Sequence, residues 1–175
     1  MMENQYKYPR RVISILAVNR YGVLARIASM FNRRSFNIDS ITTSETMDPG
    51  IARITITVHV DEQKLRQLVM QTKRLEDVRE VHELETGSVQ RELLLIKVRA
   101  DKDNLPSLRD IAGVYKAKII DLSPTSLVME LTGKPEKVEG FLNMMRNYEV
   151  LEMCRTGITA LDRGAEFISG GDEDF

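Results

Sequence analysis

The segment "NRYGVLARIASMFNRRSFNI", Asn19–Ile38, holds the residues best suited to binding chemistry. Gly22 follows Asn19 by three positions and is predicted to open an apolar-periodic helix that runs to about Arg34 and includes Val23 and Leu24. A glycine at a helix start permits close approach of a ligand, and the free N–H groups of the first helical turn attract anions. Gly22, Val23 and Leu24 are therefore candidate backbone donors to a carboxylate group.

Two asparagines complete this candidate site. The side-chain carbonyl of Asn19 can accept a hydrogen bond from an ammonium group, and Asn37 can do the same if its strand, or that of a dimer mate, lies nearby. Val23, Leu24 and Ile38 add branched apolar side chains. A carboxylate site, an ammonium acceptor and an aliphatic wall describe a pocket for an aliphatic amino acid. The same residues also suit an ordinary turn, and the residues alone leave both interpretations open.

Residue sets typical of catalysis or metal binding are not visible elsewhere. His59 and His82 are far apart and neither has a partner at ligand spacing, so both are expected to be structural or solvent-facing. Cys154, the only cysteine, is expected to be a small buried apolar side chain in a strand. Neither G-x-G-x-x-G nor a Walker glycine–lysine loop occurs. We therefore expect no catalytic residues, no metal and no cofactor in this chain. A group of carboxylates is expected to be solvated surface: Glu76, Asp77, Glu80, Glu83 and Glu85.

Periodicity along the chain predicts the elements that position these residues. The first half has the order strand, helix, strand, strand, helix, strand, and "MDPG" is the turn of a hairpin between its second and third strands. After the small polar stretch "TGSVQ" the same order repeats. The predicted α+β fold is therefore two tandem ferredoxin-like (βαββαβ) domains, each an antiparallel sheet with both helices on one face. The domain bounds are 10–85, a linker at 86–90, 91–163, and a mobile tail at 164–175.

A sheet with open edges and one uncovered face is incomplete on its own. Side-by-side pairing with a second copy is therefore expected, which gives a homodimer whose sheets join across a two-fold axis.

Charge and composition exclude several classes of partner. The 175 residues carry a formal net charge of -1, which gives no general attraction to nucleic acid or to an anionic membrane. RNA-binding modules of this fold stack bases on sheet aromatics, and the central strands here have none. No apolar run approaches the roughly 20 residues of a membrane span. The N-terminus lacks the apolar centre of a signal peptide, so we expect a cytoplasmic protein.

The pattern "N-x-x-G-x-L-x-x-I…F…N-I" resembles the ACT domain, a small-molecule sensing module of amino-acid metabolism. More narrowly, the block beginning "RRVISILAVNRYGVL" is similar to the regulatory (small) subunits of acetolactate synthase, also called acetohydroxyacid synthase. The resemblance continues through "RELLLIKV", "IIDLSPTSLVMELTG" and "CRTGITALDRG", and so covers about residues 10 to 164.

The resemblance implies a regulatory function. The first domain would be an ACT domain that pairs with its copy and binds valine, the feedback inhibitor, at the shared interface. Asn19, Gly22, Val23 and Leu24 would come from one protomer, and Asn37 with Ile38 would come from the other.

The subunit would have no catalytic site of its own. It would activate a catalytic large subunit that holds thiamine diphosphate, FAD and Mg²⁺, and would confer inhibition by branched-chain amino acids. The alternative is a stand-alone ACT-type sensor that regulates another enzyme or a gene.

One departure from the family pattern concerns a glycine. Family members commonly have glycine before the second strand, where this chain has Ser35 in "RRSFNI". If the helix ends there in a left-handed cap, serine costs about 1 kcal/mol. The second half has "ADKDNLPSL" in place of "NRYGVL", and therefore lacks the glycine at the helix start. We expect no amino-acid site in the second domain.

Overall fold

A computed structural model describes residues 7–85 and 87–169 of the chain, which form two compact units. Unit 1 joins the chain up to Val89 with the segment that begins at Ile158, and unit 2 is Gln90–Gly157. Each unit has the order strand, helix, strand, strand, helix, strand, which confirms the predicted α+β class and the tandem ferredoxin-like organisation.

Unit 1 is an antiparallel sheet with the strand order β2-β3-β1-β4. β1 and β3 are therefore central, and β2 and β4 are the edges. The elements of this fold are β1 (Arg10–Val18), α1 (Val23–Arg33), β2 (Ser40–Glu45), β3 (Ile51–His59), α2 (Glu62–Thr72) and β4 (Val78–Glu83).

The core of unit 1 lies between this sheet and its two helices. Ile13 and Ile15 alternate along β1 and are fully buried, and Ile27 and Phe31 meet them from one stripe of α1. Leu68 adds the contribution of α2. Each fully buried side chain of this size stabilises the fold by about 1.5–3 kcal/mol, so the apolar stripes dictate which face of each element turns inward.

Unit 2 repeats this arrangement with the order β6-β7-β5-β8. Its core contains Phe141, which contacts Tyr115 edge to face at 5.4 Å between ring centroids. Pro106 lies in the first turn of its helix, as predicted, because proline has no N–H to lose there. The elements are β5 (Val89–Arg99), α3 (Leu105–Tyr115), β6 (Lys118–Leu122), β7 (Ser126–Gly133), α4 (Pro135–Met145) and β8 (Val150–Arg155).

Cys154 is exposed, so the prediction that it is buried was wrong. It does lie in a strand, but β8 is an edge of its sheet, and edge strands keep much of their surface in water.

The other face of β1 explains where the chain's last strand belongs. Val12 and Leu84 form a small buried cluster with Ile158 and Ala160, the latter from β9 (Thr159–Leu161). This burial holds the segment from Ile158 in unit 1, although 91–163 was the predicted second domain.

Two other predicted boundaries differ from the structure or lie outside it. β5 begins at Val89, inside the predicted linker 86–90, of which Thr86 lies outside the described residues. Positions 170–175 of the predicted mobile tail also lie outside them. None of the helices in the described part of the chain combines the length and apolarity that a membrane span requires.

Candidate functional site

The turn between β1 and α1 has an uncapped helix start. Gly22 is the N-cap residue of α1 and has φ 84, in the left-handed region that favours glycine. No side chain caps the helix, and the N–H of Val23 has only a long contact, 3.5 Å, to the carbonyl oxygen of Arg20. The first N–H groups of α1 therefore remain suited to an anionic ligand.

Asn19 is held in one orientation by the hairpin between β2 and β3. Its backbone N–H donates to the carbonyl of Gly50 at 2.7 Å, and its Nδ2 donates to the carbonyl of Pro49 at 3.0 Å. Because a carbonyl only accepts, the amide nitrogen must face Pro49, and Oδ1 points away from it. Asp48 accepts from the N–H of Gly50 at 2.7 Å, as the "MDPG" turn predicts.

A buried aspartate, Asp77, stabilises the turn between β1 and α1. Asp77, 3% exposed, accepts from Nε of Arg20 at 2.8 Å and pairs with Nη1 of Arg26 at 2.9 Å. Its backbone carbonyl accepts from the N–H of Val18 at 2.8 Å. The two guanidinium groups offset the cost of burying the carboxylate. The prediction that Asp77 is solvated was therefore wrong, and the signal that could have identified it is the pair of arginines on either side of Gly22.

The end of α1 has the left-handed conformation expected for a glycine. Ser35 has φ 57, and the N–H of Phe36 bonds back to the carbonyl of Phe31 at 3.1 Å, which closes the helix. The chain then runs through Asn37 and Ile38 into the edge strand β2.

Asn37 and Ile38 face different surroundings. Ile38 is partly buried and packs against the core of unit 1, whereas Asn37 is exposed. Nδ2 of Asn37 donates to Oδ1 of Asp39 at 3.3 Å, and Oδ2 of Asp39 lies 2.7 Å from Nδ1 of His59.

The six predicted residues form two groups rather than one pocket. One is the Asn19–Leu24 turn, and the other is Asn37 with Ile38; no hydrogen bond joins them in the described part of the chain. The side chain of Val23 is in the core, so only its backbone N–H is left for a ligand. Leu24, 41% exposed, is the aliphatic side chain available beside the turn.

The corresponding turn of unit 2 uses its asparagine differently. Oδ1 of Asn104 accepts from the N–H of Asp101 at 2.9 Å, and its Nδ2 donates to the carbonyl of Arg99 at 3.2 Å. Both ends of the amide therefore serve the turn itself. Asn104 is also the N-cap residue of α3 with φ -98, so this helix starts without a left-handed residue.

A cavity of about 210 Å³ lies elsewhere in unit 1, and none of the six residues lines it. His82 lines it and pairs with Asp162, with 2.6 Å between Nε2 and Oδ2. Arg53 also lines it and donates to Oγ of Ser14 at 3.0 Å. Burial lowers the pKa of Arg53, and the charge of Asp162 opposes that shift. Within residues 7–85 and 87–169, no three His, Cys, Asp or Glu side chains cluster as a metal ion requires.

Family models match both halves of the chain. Residues 13–80 match "AHAS small subunit-like ACT domain", and residues 91–164 match "Small subunit of acetolactate synthase".

Individual relatives match nearly the whole length. The chain is 41% identical over 156 residues to the "Probable acetolactate synthase small subunit" of Methanothermobacter thermautotrophicus, covering 88% of this chain and 93% of that one. It is 38% identical to the "Acetolactate synthase small subunit" of Bacillus subtilis, covering 90% and 92%. The crystal structure of the acetolactate synthase small subunit from Thermotoga maritima superimposes with a TM-score of 0.83 at 36% identity, covering 90% of this chain and 99% of that one.

Proposed function

Because the chain belongs to the family of acetolactate synthase small subunits, we propose that it is the regulatory subunit of such an enzyme. In this proposal it activates a thiamine-diphosphate-dependent catalytic subunit and confers feedback inhibition by valine. Thiamine diphosphate, FAD and Mg²⁺ belong to the catalytic subunit, which condenses pyruvate with a second 2-oxo acid. This chain binds the effector and contributes no group to the reacting atoms.

The observation that carries the effector proposal is the Asn19–Gly22 turn. Oδ1 of Asn19, turned away from Pro49, is oriented to accept from the ammonium group of an amino acid. The uncapped N–H groups at the start of α1 suit its carboxylate. Leu24 adds an exposed aliphatic surface for a branched side chain. An α-amino acid carries one positive and one negative group, which complement an acceptor and a set of N–H donors on the same turn.

The second half of the pocket is proposed to come from a twin protomer. β2 is an edge strand of unit 1, a position at which the strand of a second copy could extend the sheet. Pairing two copies along this edge would bring Asn37 and Ile38 of one protomer beside the Asn19–Leu24 turn of the other. This arrangement explains why the two groups remain separate within a single chain.

The regulatory step is then a linkage between effector binding and the arrangement of the dimer. Valine bound across the interface favours the arrangement in which its two half-sites are close, and the proposal assigns that arrangement a weaker activation of the catalytic subunit. An effector shifts such an equilibrium only by its difference in affinity for the two states. A shift from about 99% active to about 99% inhibited requires a preference of about 10⁴-fold, which is about 5.5 kcal/mol.

Calorimetric titration of the purified dimer with valine tests the effector proposal. One valine site per half-interface is expected, with leucine and isoleucine binding more weakly or equally. An absence of heat with all three amino acids would contradict the sensor function. Copurification of a thiamine-dependent catalytic subunit tests the partner; recovery of another enzyme or a DNA-binding protein instead would favour the stand-alone sensor.

A further inference from the structure

Asp39 connects Asn37 to the rigid part of the sheet. Both of its carboxylate oxygens have partners: Oδ1 accepts from Asn37 at 3.3 Å, and Oδ2 contacts His59 at 2.7 Å. Its backbone N–H donates to the carbonyl of Thr57 at 2.9 Å, which fixes the start of β2 against β3. Asn37 and Asp39 lie directly before β2, at the point where the chain bends into that strand.

The carboxylate determines which end of the Asn37 amide faces outward. A carboxylate is an acceptor only, so the amide must turn its Nδ2 toward Asp39 and its Oδ1 away. The opposite orientation would place the amide oxygen against a carboxylate oxygen, where like partial charges repel. It would also present an N–H₂ group to a ligand's ammonium group, which is the wrong polarity for binding.

His59 holds this carboxylate in place. It is the last residue of β3 and lies opposite Arg10 of β1 in the sheet register. The side chains of His59 and Asp39 are 18% and 16% exposed, so their contact is partly shielded from water. The imidazole therefore links the carboxylate that precedes β2 to the central strand β3.

We infer that Asp39 and His59 are positioning residues of the effector site, which hold the carbonyl of Asn37 toward the ammonium group of an α-amino acid. This inference rests on the proposed function, in which Asn37 contacts the effector. It gives the two residues a role in specificity: they make the site select amino acids over analogues of the same shape that lack the ammonium group.

The variant that tests the inference is Asp39→Asn, in which an amide can either donate to or accept from Asn37 and no longer fixes its orientation. We expect valine affinity to fall about tenfold. The affinity for the hydroxy analogue 2-hydroxy-3-methylbutanoate, measured in a competition titration, should change less than twofold, because its hydroxyl group can both donate and accept a hydrogen bond. A merely structural defect would weaken both ligands alike, and that result would overturn the inference.

A double-mutant cycle tests whether Asp39 acts through Asn37, whatever the size of the loss in valine affinity. If Asp39 acts through Asn37, then Asp39→Asn should have no further effect on valine affinity in an Asn37→Ala background. Full additivity would overturn the inference. His59→Phe, which keeps a ring but no donor, should weaken valine binding in the same ligand-selective way and serves if Asp39→Asn fails to fold.

A matched control exists in the second histidine–aspartate pair of unit 1. Asp162→Asn alters the partner of His82 but none of the six effector residues. It should leave valine affinity within twofold of that of the unmodified protein, and an equal loss in both variants would contradict a specific role for Asp39.

Failure of the unmodified protein to bind valine would overturn the proposed function together with this inference. Normal binding with an unaffected Asp39→Asn variant would overturn the inference alone.

Discussion

The side chains that matter most for the proposed effector site are amides whose orientation is set by their neighbours. The carbonyl of Pro49 orients Asn19, and the carboxylate of Asp39 orients Asn37. In unit 2, Asn104 satisfies both ends of its amide within its own turn. An asparagine between the first strand and the first helix of a unit is therefore insufficient by itself to indicate a ligand site, since its amide can be engaged in the turn itself.

Gly22 provides a test at which charge and backbone strain can be separated. Gly22→Asp should reduce valine affinity at least 100-fold, because it places a carboxylate where the ligand's own carboxylate is proposed to lie. Gly22→Ala adds at least as much backbone strain at φ 84 without the charge, and no atom lies within 4 Å of the added Cβ. Calorimetry should therefore find a smaller loss for Ala than for Asp.

Gly164→Asp is the matched control for that pair. It adds the same charged side chain at another glycine of positive φ in unit 1, again with nothing within 4 Å. Valine affinity should stay within twofold of that of the unmodified protein. Equal losses in Gly22→Asp and Gly22→Ala would mean that strain, and not charge, explains the effect, and would remove the carboxylate assignment.

Asp77 is expected to affect the stability of the protein more than its binding of the effector. Asp77→Ala should lower the free energy of unfolding by about 1–3 kcal/mol, less than for a fully buried ion pair because both arginines remain half exposed. Urea denaturation measures this. The neighbouring exposed Glu76→Ala is the control and should change stability by no more than about 0.5 kcal/mol. Similar values for the two variants would show that Asp77 does not support the turn.

Replacement of Ser35 by glycine is predicted to stabilise the protein. Glycine accepts the left-handed φ of 57 without strain, so Ser35→Gly should raise the free energy of unfolding by up to about 1 kcal/mol. Ser29→Gly, inside α1, should instead lower it by a few tenths to about 1 kcal/mol, since glycine is unfavourable in a helix interior. A loss of stability in both variants would contradict the strain assigned to Ser35.

Among the secondary-structure elements, periodicity was sufficient to predict the two sheets and the helices α1 to α4 of the described residues, because the apolar stripes of these elements bury against one another. It was insufficient for features that depend on neighbours distant in sequence. Asp77 looks solvated among its local carboxylates, and only the return of β4 beside β1 brings it to Arg20. Likewise, Ile158 and Ala160 look like the end of the second repeat, yet their burial partners are Val12 and Leu84.

For the candidate site, the sequence proposes Asn19, Gly22 and Asn37, because a turn glycine and flanking asparagines are local signals. Their role in effector binding stays a prediction. The orientation of each amide could not be predicted from the sequence, since the acceptors Pro49 and Asp39 are recognised only from the hydrogen bonds of the folded chain.

The prediction about the proposed dimer concerns the edge strand β2. Thr43→Glu places a charge on this exposed edge, and two such charges would face each other across the two-fold axis of the proposed dimer. Sedimentation should show dimer dissociation at concentrations at which the unmodified protein stays dimeric, with a parallel loss of valine affinity. Arg79→Glu on the opposite edge strand, β4, should leave both unchanged. A monomeric unmodified protein that binds valine fully would contradict the shared pocket.

For the whole molecule, we propose that valine acts through the Asn19–Gly22 turn on a separate catalytic subunit. The most direct measurement is the rate of acetolactate formation by the catalytic subunit of the same organism, titrated with this chain in the presence and absence of valine. We predict that the chain raises the rate, that valine reverses the increase, and that the Gly22→Asp variant still raises the rate but is no longer inhibited. A chain that leaves the rate unchanged, or a Gly22→Asp complex as sensitive to valine as the unmodified one, would contradict the claim.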